Sequence, residues 1–95
     1  MSDDESIHEL NELFVDYLAY LIFMARQILT PNGYDHFALI KALEKVLEIQ
    51  QISKEIENTE MYDQIRSELK SVQGIASSDY ETWEPFLNRL VQIIA

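Results

Sequence analysis

The chain has 95 residues, of which 47% are hydrophobic, and a formal net charge of −10. This length suits one compact domain, so we expect residues 1–95 to form a single ordered unit. The absence of cysteine excludes disulfides, thiolate zinc sites and cysteine nucleophiles, and the negative field opposes binding to nucleic acid and to anionic lipid surfaces. A basic protein remains compatible as a partner.

The N-terminal stretch, Met1 to Glu12, carries several carboxylates and neither lysine nor arginine. This pattern is the opposite of a secretory signal or a transit peptide. The longest apolar run, Val15 to Leu29, is interrupted by Asp16 and Arg26 and is too short to span a bilayer. We therefore expect a cytoplasmic protein with no membrane segment.

The first predicted helix runs from about Ile7 to Leu29. Ser6 and Glu9 have the spacing of a capping box at its start, and Thr30 precedes a proline, which disfavours helical geometry. Apolar residues recur at three- and four-residue steps, which predicts one buried face. The predicted face comprises Leu10, Phe14, Tyr17, Leu21, Met24 and Ile28, widened by Leu13, Leu18 and Ala25.

A short turn and a second helix are predicted next. Pro31, Asn32 and Gly33 form the turn, so helices 1 and 2 should be antiparallel neighbours. Helix 2 is predicted over about His36 to Lys54 with Asp35 as its N-cap. Its predicted core face holds Leu39, Ile40, Leu43, Val46, Leu47 and Gln50, and a break is predicted near Asn58.

Two further helices complete the predicted fold. Helix 3 should cover about Thr59 to Val72, with Gly74 in a left-handed conformation after it. Because proline is unfavourable inside a helix, Pro85 predicts a turn over Ser78 to Trp83 and a last helix from about Glu84, with the proline in its first turn. The pattern predicts an all-α, four-helix antiparallel bundle whose last helix is preceded by a turn containing Trp83.

Two carboxylate patterns are candidates for metal chemistry. Glu57, Glu60 and Asp63 lie three apart, and the last two resemble the magnesium-binding pairs of helical nucleotide pyrophosphohydrolases. The paired glutamates which that family needs on a preceding helix have no counterpart here, so an acidic surface patch is the stronger interpretation. Glu5 and His8 have Glu-x-x-His spacing, but a di-metal bundle needs that motif twice.

We find no catalytic residues in the sequence. No serine stands in a nucleophile elbow with a histidine base, and the two glycines do not form a phosphate loop. We therefore expect no cofactor. The abundant tyrosines lack interleaved basic residues, so they favour a core or an interface over base stacking. A small apolar ligand held between helices stays open.

One family resemblance can be read from the first half of the chain. The Tyr-Leu-Ala-Tyr-Leu run at 17–21, Ala25-Arg26, Pro31, Tyr34 and the segment 37–43 lie within Leu13 to Gln50. This stretch resembles a family of small helical proteins catalogued only as a domain of unknown function. The resemblance implies an all-helical fold and no site residues.

The leading hypothesis is a non-enzymatic interaction protein that forms a homodimer. Tyr20 and Phe23 lie on the far side of helix 1 from its main apolar face, with Ala19 allowing close approach. A helix that is apolar nearly all round is either central to a large core or shared between chains. The alternative function is a small enzyme or ligand-binding bundle that holds a divalent cation through the carboxylates at 57, 60 and 63.

Overall fold

The computed structural model describes residues 3–95 and consists of four α-helices, with no strand in that range. Met1 and Ser2, the start of the acidic N-terminal stretch, lie outside the described residues. The helices are α1 (Asp3–Ile28), α2 (Asp35–Ile52), α3 (Glu60–Ser71) and α4 (Tyr80–Ile94). The predicted all-α class is confirmed.

The helices pack as a ring in which α1 contacts α2 and α4, and α3 contacts α2 and α4. Arg26, near the end of α1, hydrogen-bonds Asn88 of α4 at 2.6 Å, and Glu68 of α3 pairs with Arg89 of α4 at 2.6 Å. Neighbouring helices are antiparallel, as the short connections predicted. The bundle measures 49 × 21 × 20 Å because α1 is the longest helix and extends beyond the others.

The apolar core lies along the inner faces of all four helices. On α2 the buried residues recur at helical spacing from His36 to Gln50, which confirms the predicted core face in its centre. Helix α2 begins one residue earlier than predicted, with Tyr34 as N-cap, and ends at Ile52. Gly74 after α3 has φ of 82°, the left-handed conformation that glycine adopts without strain, as predicted.

The connection over residues 53–59 is fixed by a side chain of α1. The Asn11 amide donates to the backbone carbonyl of Glu55 at 2.7 Å and accepts from the backbone N–H of Glu57 at 2.9 Å. One side chain thus satisfies a backbone acceptor and a backbone donor that a loop leaves unpaired. No residue pattern in the sequence predicts this role.

The predicted start of the last helix is wrong. Helix α4 begins at Tyr80, so Trp83 is its fourth residue and Pro85 lies inside it. The proline removes the hydrogen bond to the carbonyl of residue 81. Trp83 packs against the rings of His36, Phe37 and Phe86, and its indole N–H donates to the carbonyl of Ala76 at 2.8 Å. The free energy gained by burying the Trp83 ring outweighs the cost of a proline inside the helix, so the helix begins earlier than predicted.

The predicted start and inner face of the first helix also need correction. Because α1 is already helical at Asp3, Ser6 and Glu9 lie inside it and do not cap it. Its buried residues are centred on Leu18, Ile22 and Ala25, whereas Tyr17 is half exposed. The inner face is therefore rotated from the predicted one. Apolar residues occur nearly all round this helix, so their period alone does not select one direction.

Candidate interaction surface

Four apolar side chains of α1 are exposed in one line along the helix. They are Leu10, Leu13, Tyr17 and Tyr20, and we call them the α1 stripe. Leu13, Tyr17 and Tyr20 are 58%, 51% and 55% exposed. Their alternating three- and four-residue steps match the a and d positions of a coiled-coil seam. Helix α1 therefore presents a helix-pairing pattern on a side that the other described residues leave exposed.

Helix α2 adds two exposed isoleucines near this stripe. Ile49 is 52% exposed and Ile52 is 77% exposed. Glu44 and Gln51 line the groove between α2 and α3, and Ile49 lies on the opposite side of α2, next to α1. Because α1 and α2 are antiparallel and residue 11 bonds residue 55, both isoleucines lie at the level of the middle of the stripe.

Of the three residues predicted to form an interface, Tyr20 and Phe23 are exposed neighbours on α1, and Ala19 is less exposed. Tyr20 belongs to the α1 stripe, and Phe23 is 46% exposed one turn further along but rotated toward the acidic side of the helix. Ala19 is half-buried beside it. The sequence pattern predicts that Leu13 and Tyr17 face the core. In the structure both are exposed, and they belong to the stripe together with Tyr20.

Two of the three carboxylates predicted as metal candidates accept hydrogen bonds from neighbouring side chains. Asp63 receives hydrogen bonds from Asn58 at 3.2 Å and Arg66 at 3.3 Å. Gln64 donates to Glu60 at 3.5 Å, and Glu57 lies in the connection before α3. Within residues 3–95 the structure contains no group of three histidine, aspartate or glutamate side chains that would hold a metal ion.

Arg66 occupies the centre of a polar network between α2 and α3. Its guanidinium donates to the side chain of Gln50, to the backbone carbonyl of Leu47 at 3.3 Å, and to Asn58 at 3.1 Å. Gln50 is only 2% exposed, and it also donates to Asn58 at 3.3 Å. The network explains how the apolar face of α2 accommodates a glutamine.

A groove of about 440 Å³ lies between the first half of α1 and the start of α3. Its floor includes Val15 and Tyr62, and three carboxylates, those of Glu12, Asp16 and Glu57, surround it. His8 pairs with Glu12 at 2.9 Å. Neither of the other two carboxylates has an ion-pair or hydrogen-bond partner among the described side chains.

Two buried polar side chains lack hydrogen-bond partners among the described residues. They are His36, at both ring nitrogens, and Tyr62, at its hydroxyl. Burial raises the pKa of Tyr62 above its ordinary value of 10.0, and nearby Arg66 opposes that shift. The hydroxyl therefore stays protonated at neutral pH.

Tyr80, in contrast, has a partner for its hydroxyl. It donates a hydrogen bond to Glu84, and this bond is the main cause that raises the pKa of Tyr80.

Comparison with known proteins adds no assignment. No family model, no curated protein and no solved structure matches this chain. Among the described residues no helix combines the length and the apolar character needed to cross a membrane.

Proposed function

We propose that the protein is a non-enzymatic interaction module that pairs with a second copy of itself through the α1 stripe. The observation that supports this is the run of four apolar residues at coiled-coil spacing, exposed on the longest helix. A bundle with no partner would leave two tyrosine rings and two leucines largely in water.

The size of the exposed apolar surface fits a second copy. At about 150 to 200 Å² for a fully exposed side chain, the exposed parts of the stripe, Phe23, Ile49 and Ile52 amount to roughly 700 Å². Stable interfaces bury about 800 Å² per partner, and the largest apolar patch of a typical monomer is about 300 to 600 Å². The apolar surface is thus close to what one partner of a dimer contributes.

Charge also bears on this pairing. No carboxylate lies within the stripe, whereas Glu9, Glu12 and Asp16 follow the side of α1 beside it. Two chains of net charge −10 repel each other at long range. Salt screens that repulsion without weakening apolar contacts, so added sodium chloride should strengthen the dimer.

The test is the mass in solution, measured by light scattering after size exclusion. The natural chain should have twice the mass of one chain, and Tyr17→Glu with Tyr20→Glu should have the mass of one chain with its helical content retained. Tyr34→Glu is a control for adding a carboxylate at an exposed tyrosine outside the stripe, since Tyr34 is 63% exposed in the α1–α2 turn. A natural chain that stays monomeric across micromolar concentrations would contradict the proposal.

A further inference from the structure

We propose that the groove beside Asp16 and Glu57 binds a lysine or arginine side chain from a segment of a basic partner protein. The site uses α1 residues beside the stripe, the segment that precedes α3 and Tyr62 of α3, and it forms within one chain without self-pairing. The shape of the groove, its charges and its fixed backbone support this binding.

The charges of the groove suit a cation. Asp16 and Glu57 lie at its edge, each without an ion-pair partner among residues 4–95, whereas the third carboxylate, Glu12, has His8 beside it. Two unpaired carboxylates around one opening favour a guanidinium or ammonium group, since charge-assisted hydrogen bonds are stronger than neutral ones. The net charge of −10 steers a basic segment toward the protein.

The floor of the groove suits the stem of such a side chain. Val15 and the ring of Tyr62 supply apolar surface, and long basic side chains lay their methylene groups on apolar surface while their charge stays polar. The volume of about 440 Å³ falls within the range of ligand pockets, about 300 to 1,000 Å³. An apolar floor below an acidic edge favours a side chain with a hydrocarbon stem over a bare metal ion.

The ring of Tyr62, not its hydroxyl, belongs to the binding surface. The residue is 1% exposed and its hydroxyl oxygen is buried from water, so a group that enters the groove does not reach that oxygen. The ring therefore contributes apolar surface to the floor of the groove, and the two carboxylates supply the polar contacts.

The groove is held in place before any ligand arrives. Asn11 binds the backbone on both sides of Ile56, through the carbonyl of Glu55 and the N–H of Glu57. Ile56 itself is buried in the core. The backbone that carries the Glu57 carboxylate is thus fixed against α1, which lowers the ordering cost of binding.

The test is an NMR titration of the full chain with N-acetyl-arginine methylamide, and with the neutral citrulline analogue as ligand control. The arginine compound should give saturable shifts of the backbone amides of Asn11, Glu57 and Tyr62, and citrulline should not. Asp16→Asn with Glu57→Gln should weaken binding at least about tenfold, since two charge-assisted bonds are lost. Val15→Trp should block the groove with the net charge unchanged.

The matched control is Glu44→Gln with Glu48→Gln, which removes two charges from α2 outside the groove and should leave the affinity within about twofold. Shifts spread over the acidic surface without saturation would overturn the proposal. Equal weakening by the control variant, or unchanged affinity in Val15→Trp, would overturn it as well. Tighter saturable binding of spermine than of the arginine compound would assign the groove to free polyamines instead.

Discussion

The rings of Tyr17 and Tyr20 stack with their centroids 6.5 Å apart and their planes 19° apart, while about half of each side chain stays exposed. The two rings lie one helical turn apart, so they form a continuous aromatic surface on the outside of α1. In the proposed dimer this surface is covered by the second chain, and folding and pairing are then coupled.

The first prediction concerns thermal stability. Because pairing stabilises only the folded state, the midpoint of thermal unfolding of the natural chain should rise with protein concentration. In Tyr17→Glu with Tyr20→Glu the midpoint should not depend on concentration. Circular dichroism melts from low to high micromolar protein measure both. A concentration-independent midpoint in the natural chain would contradict coupled pairing.

The second prediction concerns Arg66. Replacing it by methionine leaves the buried Gln50 amide oxygen without its donor, which should lower the free energy of unfolding by about 1 to 3 kcal/mol. Arg89→Met is the control, because its pair with Glu68 is solvent-exposed at the arginine and should contribute at most about 1 kcal/mol. Chemical denaturation measures the free energy of unfolding of both variants. Equal losses in the two would show that the Arg66 network stabilises the fold no more than an exposed ion pair does.

The fold could be predicted from the sequence where several local signals agree. The turn at Pro31 to Gly33, the core face of α2 and the left-handed Gly74 each follow from residue type and spacing within a short window. The burial of Gln50 could be read from its place on the apolar face. Its partner Arg66 could not, because nothing in the sequence pairs positions on different helices.

The start of α4 and the direction of α1 depend on tertiary packing. Pro85 locally favours a turn before the last helix. Burial of Trp83 and Phe86 instead stabilises a helix that begins before the proline. On α1 the apolar residues leave two directions open, and the positions of α2 and α4 decide between them. The groove combines α1 with residues more than forty positions later, so sequence spacing alone could not assemble it.

The third prediction concerns His36. Both ring nitrogens are buried without partners among the described residues, so a leucine of similar volume should avoid that cost. His36→Leu should raise the free energy of unfolding by about 1 kcal/mol in urea denaturation. His8→Leu, at an exposed position, should change it by at most about 0.5 kcal/mol. Clear destabilisation by His36→Leu would show that the contact of the ring with Trp83 outweighs the buried nitrogens.

The fourth prediction concerns alkaline pH. The folded pKa of Tyr62 is raised above the ordinary value of 10.0, chiefly by burial, so the folded chain retains a proton that the unfolded chain releases. This contribution to stability is fully present below pH 10 and is lost as the pH rises through the folded pKa. Tyr62→Phe should therefore lose less stability above pH 10 than the natural chain does. Parallel losses in both chains would contradict the assignment.

The most direct test of self-pairing is an isotope-filtered NMR experiment on a mixture of carbon-13-labelled and unlabelled chains. It detects contacts only between different copies. Interchain contacts are expected from the ring protons of Tyr17 and Tyr20 to the methyl groups of Leu10, Leu13 or Ile49, since these groups form the proposed interface. Interchain contacts confined to α3 and α4, or no interchain contact at millimolar protein, would contradict it.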